Sequence, residues 1–501
     1  MTPPPRIHFL DEQRRHRRTS SLSVAAVIAA LALSGIPLSV VISPVVVAGA
    51  ALIIRLADLI VTVPPGVTEW SDRAFHLLPT MWTAVRRPDV DLPWGLMAGL
   101  FVLPGTLAML LLWAVVRTTF RRTGVGGVLR RMETRPPRTG DLAEQRLANL
   151  VEEVAVAAAV PPPRVLLIDA TGANAAAAGL AMDDAAVVVT RGFVDRLPRD
   201  AQQAVIAHLM ASVGNGDLAV AAEILVVLQT WGLVALALEA PFLPCARASL
   251  GFVVRVAGET LRGRADARSR ELALDLLLAG AGHEHDMDSD EFERSLPWSN
   301  PLLLVFGYLP LLLTVAPAAI AAKAVIWLFT LLISGPIVAF LWRTRRRLAD
   351  ATAVQLTRYQ DSLAEALRTL AGGDVTVPGA VAVNFLFPIW DPAVDSDQTR
   401  ADVGSVLLGM HLPLEARLRR LQRLGARADG VSPAPAAAPS GSTLRDLPGF
   451  LGWVGVATLL VGALLAFNVV VAALVLYLLG WLLHAVLVTV PGWIARLWRD
   501  R

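Results

Sequence analysis

With 501 residues, a mean hydropathy of +0.56 and 55% apolar residues, the chain is too apolar for an ordinary soluble enzyme and is expected to be a multi-pass membrane protein. Its formal net charge is only +3, and its basic residues are nearly all arginines set beside apolar runs; that pattern signals membrane topology and excludes a nucleic-acid footprint. The single cysteine, Cys245, excludes an intrachain disulfide framework.

In chain order, Arg14, Arg15, Arg17 and Arg18 precede an apolar stretch from Leu22 to Ile60, long enough to cross a bilayer at about 20 residues per span. Ala30-Leu31-Ala32 resembles a signal-peptidase site, but the apolar run continues well past it, so an uncleaved anchor is expected. A second span lies near Pro93 to Val116. Arg117, Arg121, Arg122, Arg130 and Arg131 follow it and place both the N-terminus and the next region in the cytoplasm. Residues 1–116 therefore read as a membrane hairpin.

Residues 117–300 read as the first block of a cytoplasmic α+β domain. Apolar positions recur at helical spacing from Leu142 to Ala159, then give way to two short strands, Val165 to Ile168 and Ala186 to Thr190. Another helix starts near Pro198-Arg199-Asp200. The apolar segment Leu218 to Leu238 is long enough to span, but a crossing there would put Arg247, Arg255, Arg262, Arg264, Arg268 and Arg270 outside. It is therefore expected to pack within the domain or to lie at the membrane surface. Residues 301–342 read as a second membrane hairpin, 343–428 as the second block, 429–446 as a Pro/Ala/Ser-rich linker and 447–501 as a third hairpin, split near Asn468. Six spans result, with both termini in the cytoplasm.

The two blocks carry a series of short pieces. They are Leu150-Val151-Glu152-Glu153, the turn Asn174-Ala175-Ala176-Ala177-Ala178-Gly179, Val188 to Phe193, Leu197-Pro198-Arg199-Asp200, Val205-Ile206-Ala207-His208 and Asn215-Gly216-Asp217. After the middle hairpin come Arg345-Arg346-Arg347-Leu348-Ala349-Asp350 and His411-Leu412-Pro413-Leu414-Glu415-Ala416-Arg417. In order and spacing this series resembles the HtpX-like and CAAX-prenyl-protease-like membrane zinc metallopeptidases, over roughly residues 142–217 and 343–425. The resemblance implies a multi-pass α-helical protein of a bacterial-type cytoplasmic membrane, with a cytoplasmic zincin-like α+β domain. It also implies the bilayer and a peptide or membrane-protein client as partners, and a groove or scaffold that includes Asn174, Gly179, Asp217 and Asp350.

The departures from the family pattern decide the expected chemistry. H-E-x-x-H works because two histidines four apart share one helix face and ligate one Zn²⁺, while the glutamate activates its water. Here His208 is the sole retained ligand, Leu209 replaces the general base and Ser212 replaces the second imidazole. In the second block, where R-E-x-x-A-D supplies the third ligand, Arg346 occupies the glutamate position. Loss of a positioned base costs about 10²- to 10⁴-fold in rate, and a guanidinium repels Zn²⁺. No cofactor and no catalytic residue are therefore expected, and the sequence describes a degenerate peptidase homologue that binds clients as an adaptor or regulator in quality control. The alternative is an active membrane zinc endopeptidase with an atypical site, drawing on Glu271 or the cluster His283-Glu284-His285-Asp286; a solvated acidic loop is the plainer account of that cluster. His208 likewise has a plain account, as a helix histidine bonded to a backbone carbonyl, Asp217 or Asp350.

Overall fold

The computed structural model describes residues 35–87 apart from 48, 52, 56 and 59, then 94–123, 133–266, 309–371 apart from 331, 333 and 334, 386–388, 414–427 and 441–485, with a few isolated positions besides. The N-terminal basic residues, Glu271, the His283 cluster, His411, most of the Pro433–Ser442 linker and the C-terminal arginines lie outside the described residues.

The chain opens with α1 (Gly35–Arg55), α2 (Pro65–Phe75), α3 (Leu77–Arg86), α4 (Trp94–Phe101) and α5 (Leu103–Thr123). Pro65 sits at the start of α2, where its missing N–H costs nothing. α1 and α5 meet at Gly105. A Cβ there would lie 2.3 Å from the Ser39 carbonyl oxygen, and the Gly105 N–H donates to Ser43 Oγ over 2.8 Å. Only a residue without a side chain permits that approach, the way small residues let apolar helices pack in a bilayer.

The α+β part begins with α6 (Leu142–Ala157), whose N-cap Asp141 accepts from the N–H groups of Ala143 and Glu144. A four-stranded sheet follows, built from β1 (Arg164–Ile168), β2 (Ala175–Ala178), β3 (Ala186–Thr190) and β4 (Leu386–Pro388) in the order β1-β3-β2-β4. β3 runs parallel to β1 and antiparallel to β2, and is buried along its whole length, as the uninterrupted apolar run Ala186 to Val189 requires. The segment Asn174 to Gly179, expected to be a turn, instead carries β2. Four alanines give no β-branched signal, so local propensity hides a strand that pairing on both edges imposes. Gly179 ends it at φ +153°, with Leu218, Ala185 and Asp184 all within 3.1 Å of where a Cβ would stand.

Next come α7 (Arg191–Arg196), capped by Thr190, and α8 (Arg199–Gly214). α9 (Asp217–Glu239) and α10 (Pro244–Leu261) follow, then α11 (Leu309–Phe329), α12 (Gly335–Thr357), α13 (Gln360–Ala371), α14 (Leu414–Arg423) and α15 (Gly441–His484). The core is shared: α8 packs on α6, α12, α13 and β2, while α9 packs on α5, α10 and α11.

Two features differ from the sequence expectation. First, α11 and α12 are not the two arms of a hairpin. Lys323 of α11 pairs with Glu239 at one end of α9, and Arg345 of α12 pairs with Asp217 at the other. Both pairs of positions are 22 residues apart, about 33 Å of helix at 1.5 Å per residue, so α11 and α12 run on in one direction, antiparallel to α9. A reversal between them would bring Lys323 and Arg345 to the same level. Residues 330 and 332 are π-helical. Second, α15 is a single helix of 44 residues rather than a hairpin, because Phe467-Asn468-Val469 contains no breaker and Asn468 is buried. The 218–238 segment forms α9, which with Gly35–Arg55 and Ala98–Thr123 is long and apolar enough to cross a membrane; 56% of its apolar window is buried within the protein. α10 turns back after it. Arg247 donates to the Ala240 and Pro241 carbonyls past the end of α9, and at the far end of α10 the Thr260 carbonyl accepts from Arg122 of α5 at 2.6 Å. Arg262 and Arg264 thus return to the end of α5 that bears Arg117 and Arg121, both bound to Glu223 near the start of α9.

A buried carboxylate anchors the segment after α5 to the sheet. Glu144 in the first turn of α6 has no exposed surface and accepts from Arg135 at 2.7 and 2.9 Å, from the Arg138 N–H at 2.7 Å and from Arg191 at 2.9 Å. The hydrogen bonds from Arg135, opposed by burial and joined by those from Arg138 and Arg191, hold its carboxyl down to about 2. A depressed carboxylate stabilises the fold fully above the ordinary pKa of about 4.3 and loses its contribution as pH falls through its folded value. Glu144→Gln should therefore lower stability by about 1–3 kcal/mol at neutral pH. In thermal unfolding the gap from the parent should stay constant above about pH 5 and close toward pH 2.

Candidate functional site

The site lies where α8 of the first block meets α12 of the second. α8 follows Pro198, which supplies the extended residue before the helix, and Asp200 occupies its first turn. Every residue from Ala204 to Val213 is buried, so this helix is a core element on all sides at the level of His208. Leu209 is completely enclosed with the hydrophobic core, among Leu147, Val205 and Ile206. A glutamate there would be charged and without water, whereas leucine fits.

His208 is 2% exposed, and its Nδ1 stands 2.8 Å from Oδ1 of Asp350 on α12. The contact is close but not linear, for no acceptor lies along the Nδ1–H direction. Burial pushes the imidazole pKa down; Asp350 opposes this, and the charges of Arg417 and Arg346 add to it. The ring is accordingly neutral. Asp350 is 1% exposed and receives a two-point contact from Arg417 of α14, at 2.7 Å from Nη2 and 3.1 Å from Nε. Burial alone would raise the Asp350 carboxyl, but the Arg417 charge and the contact with His208 outweigh it and hold the group well below the usual carboxylate range.

One turn further along α8, the Ser212 hydroxyl hydrogen-bonds to Asp217, the first residue of α9. Asp217 is itself buried and paired with Arg345, which also donates to the Asn215 carbonyl at 3.1 Å. Arg346 is 8% exposed and close enough for its charge to act on both His208 and Asp217. The positions that the sequence singled out on α8, α9 and α12 therefore converge. Asn174 and Gly179 bracket β2, against which α8 packs. The buried Asn174 accepts at its carbonyl from Thr190 N–H and hydroxyl, and its side chain caps the Ala175 N–H at 2.9 Å, so it holds the strand in place.

Two residues carry more than the sequence reading assigned them. The helix bearing Arg417, Arg419, Arg420 and Arg423 reads, from its charge alone, as a solvated or lipid-facing face, yet Arg417 is 3% exposed. Its spacing from Leu414 and Leu421 puts it on the apolar face of α14, a signal present in the sequence. Arg345 heads the Arg345–Asp350 piece of the family series, a place that assigns it no partner; the structure pairs it with Asp217.

The donor set does not suit zinc. Around His208 the nearby groups are a serine hydroxyl, two carboxylates already bound to arginines and the Arg346 guanidinium; among the described residues no three His, Cys, Asp or Glu side chains converge as a metal-binding group. Tetrahedral zinc needs three or four N, S or O donors free of competing cations. The arrangement is instead a set of buried ion pairs: Arg345–Asp217 joins the two blocks, and Arg417–Asp350 ties α14 to α12 within the second. Removing one partner of such a pair costs about 3–5 kcal/mol. Asp350→Asn and Arg417→Met should each do so, and the double variant should cost clearly less than their sum in a double-mutant cycle read by chemical unfolding.

Residues 141–295 match the model of peptidase family M48. A Protease HtpX homolog of Limosilactobacillus fermentum is 30% identical over 278 residues, which cover 56% of this chain and 73% of that protein. A second Protease HtpX homolog, from Ligilactobacillus salivarius, is 28% identical over 287 residues, 57% of this chain and 76% of its own. A third, from Lactiplantibacillus plantarum, reaches 43% identity over 75 residues, 15% of this chain and 25% of its own. No solved structure gives a significant match.

Proposed function

The chain belongs to the HtpX-like group of peptidase family M48, and from that membership we propose that it is a membrane-embedded, catalytically silent homologue that holds extended peptides or membrane-protein segments without cutting them. One observation carries this reading. The three positions that would complete a zinc centre around His208 hold Leu209, Ser212 and Arg346, two of them uncharged and the third a cation. With no water-activating carboxylate and a fixed positive charge beside the only imidazole, neither hydroxide generation nor carbonyl polarisation by a metal is available at this place.

Residence in a cytoplasmic-type membrane is supported by the three long apolar helices and by large apolar side chains left exposed on the helices. Leu107, Leu110 and Leu111 on α5, and Leu459, Leu460 and Trp481 on α15, are exposed among the described residues. Lipid is the natural neighbour for such surfaces. A role as adaptor or regulator in membrane-protein quality control follows from family membership combined with an absent reaction.

Detergent-purified protein should contain well under one equivalent of zinc by elemental analysis and should leave casein intact. The triple variant Leu209→Glu, Ser212→His, Arg346→Glu should bind close to one equivalent, since it supplies two imidazoles and a carboxylate in the expected positions. Stoichiometric zinc in the parent protein, together with casein cleavage lost in His208→Ala, would overturn the proposal.

A further inference from the structure

Among the described residues, α5 is the least covered of the three long apolar helices. Only 22% of its apolar window is buried, against 50% for α1 and 56% for α9. Leu103, Leu107, Leu110, Leu111 and Ala114 are exposed, and their spacing of three and four residues sets them in one stripe. Val116 and Phe120 lie on the opposite side, in one cluster with Leu225 and Val226 of α9 and Val253 of α10. Carried on toward the α+β part, the exposed stripe passes Thr118 and ends at Arg121 and Arg122, both exposed.

The two arginines are steadied from opposite flanks of the stripe. Arg121 shares Glu223 of α9 with Arg117, through its Nη2 at 3.2 Å, while Nη1 of Arg122 donates to the Thr260 and Leu261 carbonyls of α10 at 2.6 and 3.3 Å. Among the described residues each thus uses one terminal nitrogen, and a guanidinium carries five N–H donors. Glu223 is already bound by two arginines, and Glu259 and Asp266 stand beside Arg262 and Arg264, so the balance around the end of α5 stays positive. The Arg117 guanidinium also stands 5.3 Å from the centre of the Trp113 ring, an aromatic suited to the boundary between hydrocarbon and headgroups. Depth agrees with this. Arg121 lies ten residues beyond Leu111, about 15 Å of helix, and one leaflet is half of a hydrocarbon core of about 30 Å.

We propose that this stripe holds one anionic phospholipid of the leaflet nearer the α+β part. Its phosphodiester lies on Arg121 and Arg122, and an acyl chain runs over Thr118 and Ala114 to Leu110 and Leu111. This rests on the membrane residence proposed above and names a partner for it. Arginines beside a span can set topology wherever their side chains point; a lipid site needs donors and an apolar track in register, and here one face of one helix supplies both. A free phosphate would meet the arginines alone, so the apolar track is what selects a lipid. The two flanking anchors keep the guanidinium groups in place for charge-assisted hydrogen bonds to phosphate oxygens.

The test gives the full-length protein in detergent equal amounts of dioleoylphosphatidylglycerol and dioleoylphosphatidylcholine, and reads by native mass spectrometry which lipid the singly loaded ions carry. One arginine at a membrane surface favours an anionic headgroup about fivefold, so the parent should prefer the glycerol lipid by roughly 20-fold. Arg121→Gln should cut that preference about fivefold, and Arg121→Lys, which keeps the charge, should retain most of it. Arg86→Gln removes an exposed arginine from α3 and should leave the preference unchanged. Inorganic phosphate in large excess should not displace the lipid. Equal loading of the two lipids, equal losses in Arg121→Gln and Arg86→Gln, a loss in Arg121→Lys as large as in Arg121→Gln, or displacement by phosphate would overturn the site. So would complete disulfide dimerisation of Leu107→Cys in a Cys245→Ser background, which would put a second copy on the stripe. Each of these leaves membrane residence standing, whereas a chain that stays in solution without detergent and carries neither lipid would remove both.

Discussion

Everything in this structure that gives His208 a defined environment depends on buried arginine–aspartate pairing across sequence-distant helices. Arg417 of α14 grips Asp350 of α12, and Arg345 of α12 grips Asp217 of α9, all four nearly inaccessible to solvent. Desolvating such groups is costly unless each charge meets a partner with good geometry. The pairs therefore favour the arrangement that satisfies each charge: Arg345–Asp217 fixes how the second block meets α9, and Arg417–Asp350 fixes α14 against α12. α8 supplies the remaining face, and from Ala204 to Val213 its residues other than His208 and Ser212 are apolar.

Against that background Arg346 has a plain physical meaning. A zinc site would place a divalent cation near His208 with carboxylate and imidazole donors around it. The present chain keeps a positive charge in the same neighbourhood but supplies it covalently, on a side chain that stays charged at any physiological pH. The neutral His208 and the Ser212 hydroxyl are compatible with a guanidinium close by, whereas a second imidazolium would not be. On the proposed reading the peptidase framework has exchanged a dissociable ion for a permanent one, and with it a reactive centre for a structural one.

How much of this was legible in the sequence varied with the kind of signal. The strongly periodic helix from Leu142, the strands at Val165 and Ala186, and the convergence of His208 with Asp350 follow from pattern and from family spacing. β2 was hidden because alanine says nothing about strand formation, and its pairing partners lie elsewhere in the chain. The supposed hairpin at 301–342 failed because length and apolarity give no direction of travel. Only the ion pairs at Glu239 and Asp217 reveal that α11 and α12 continue one another. α15 misled in the same way, since a long apolar run reads equally well as two short helices or one long one. Arg417 was readable from its place among leucines, and a charge-based reading of α14 passed over it.

The pairing of α9 with α11 and α12 makes the two rods gauges of each other. Between the two clips each rod advances by the same number of residues, so a single inserted or deleted residue in either would shift one clip by about 1.5 Å and turn it by about 100° around its axis. Side chains along these rods can be exchanged while the count between the clips is kept. Arg346 stands immediately beside the inner clip, and so the arginine next to His208 inherits its placement from a tally kept along some 33 Å of helix ending at the molecule's one lysine.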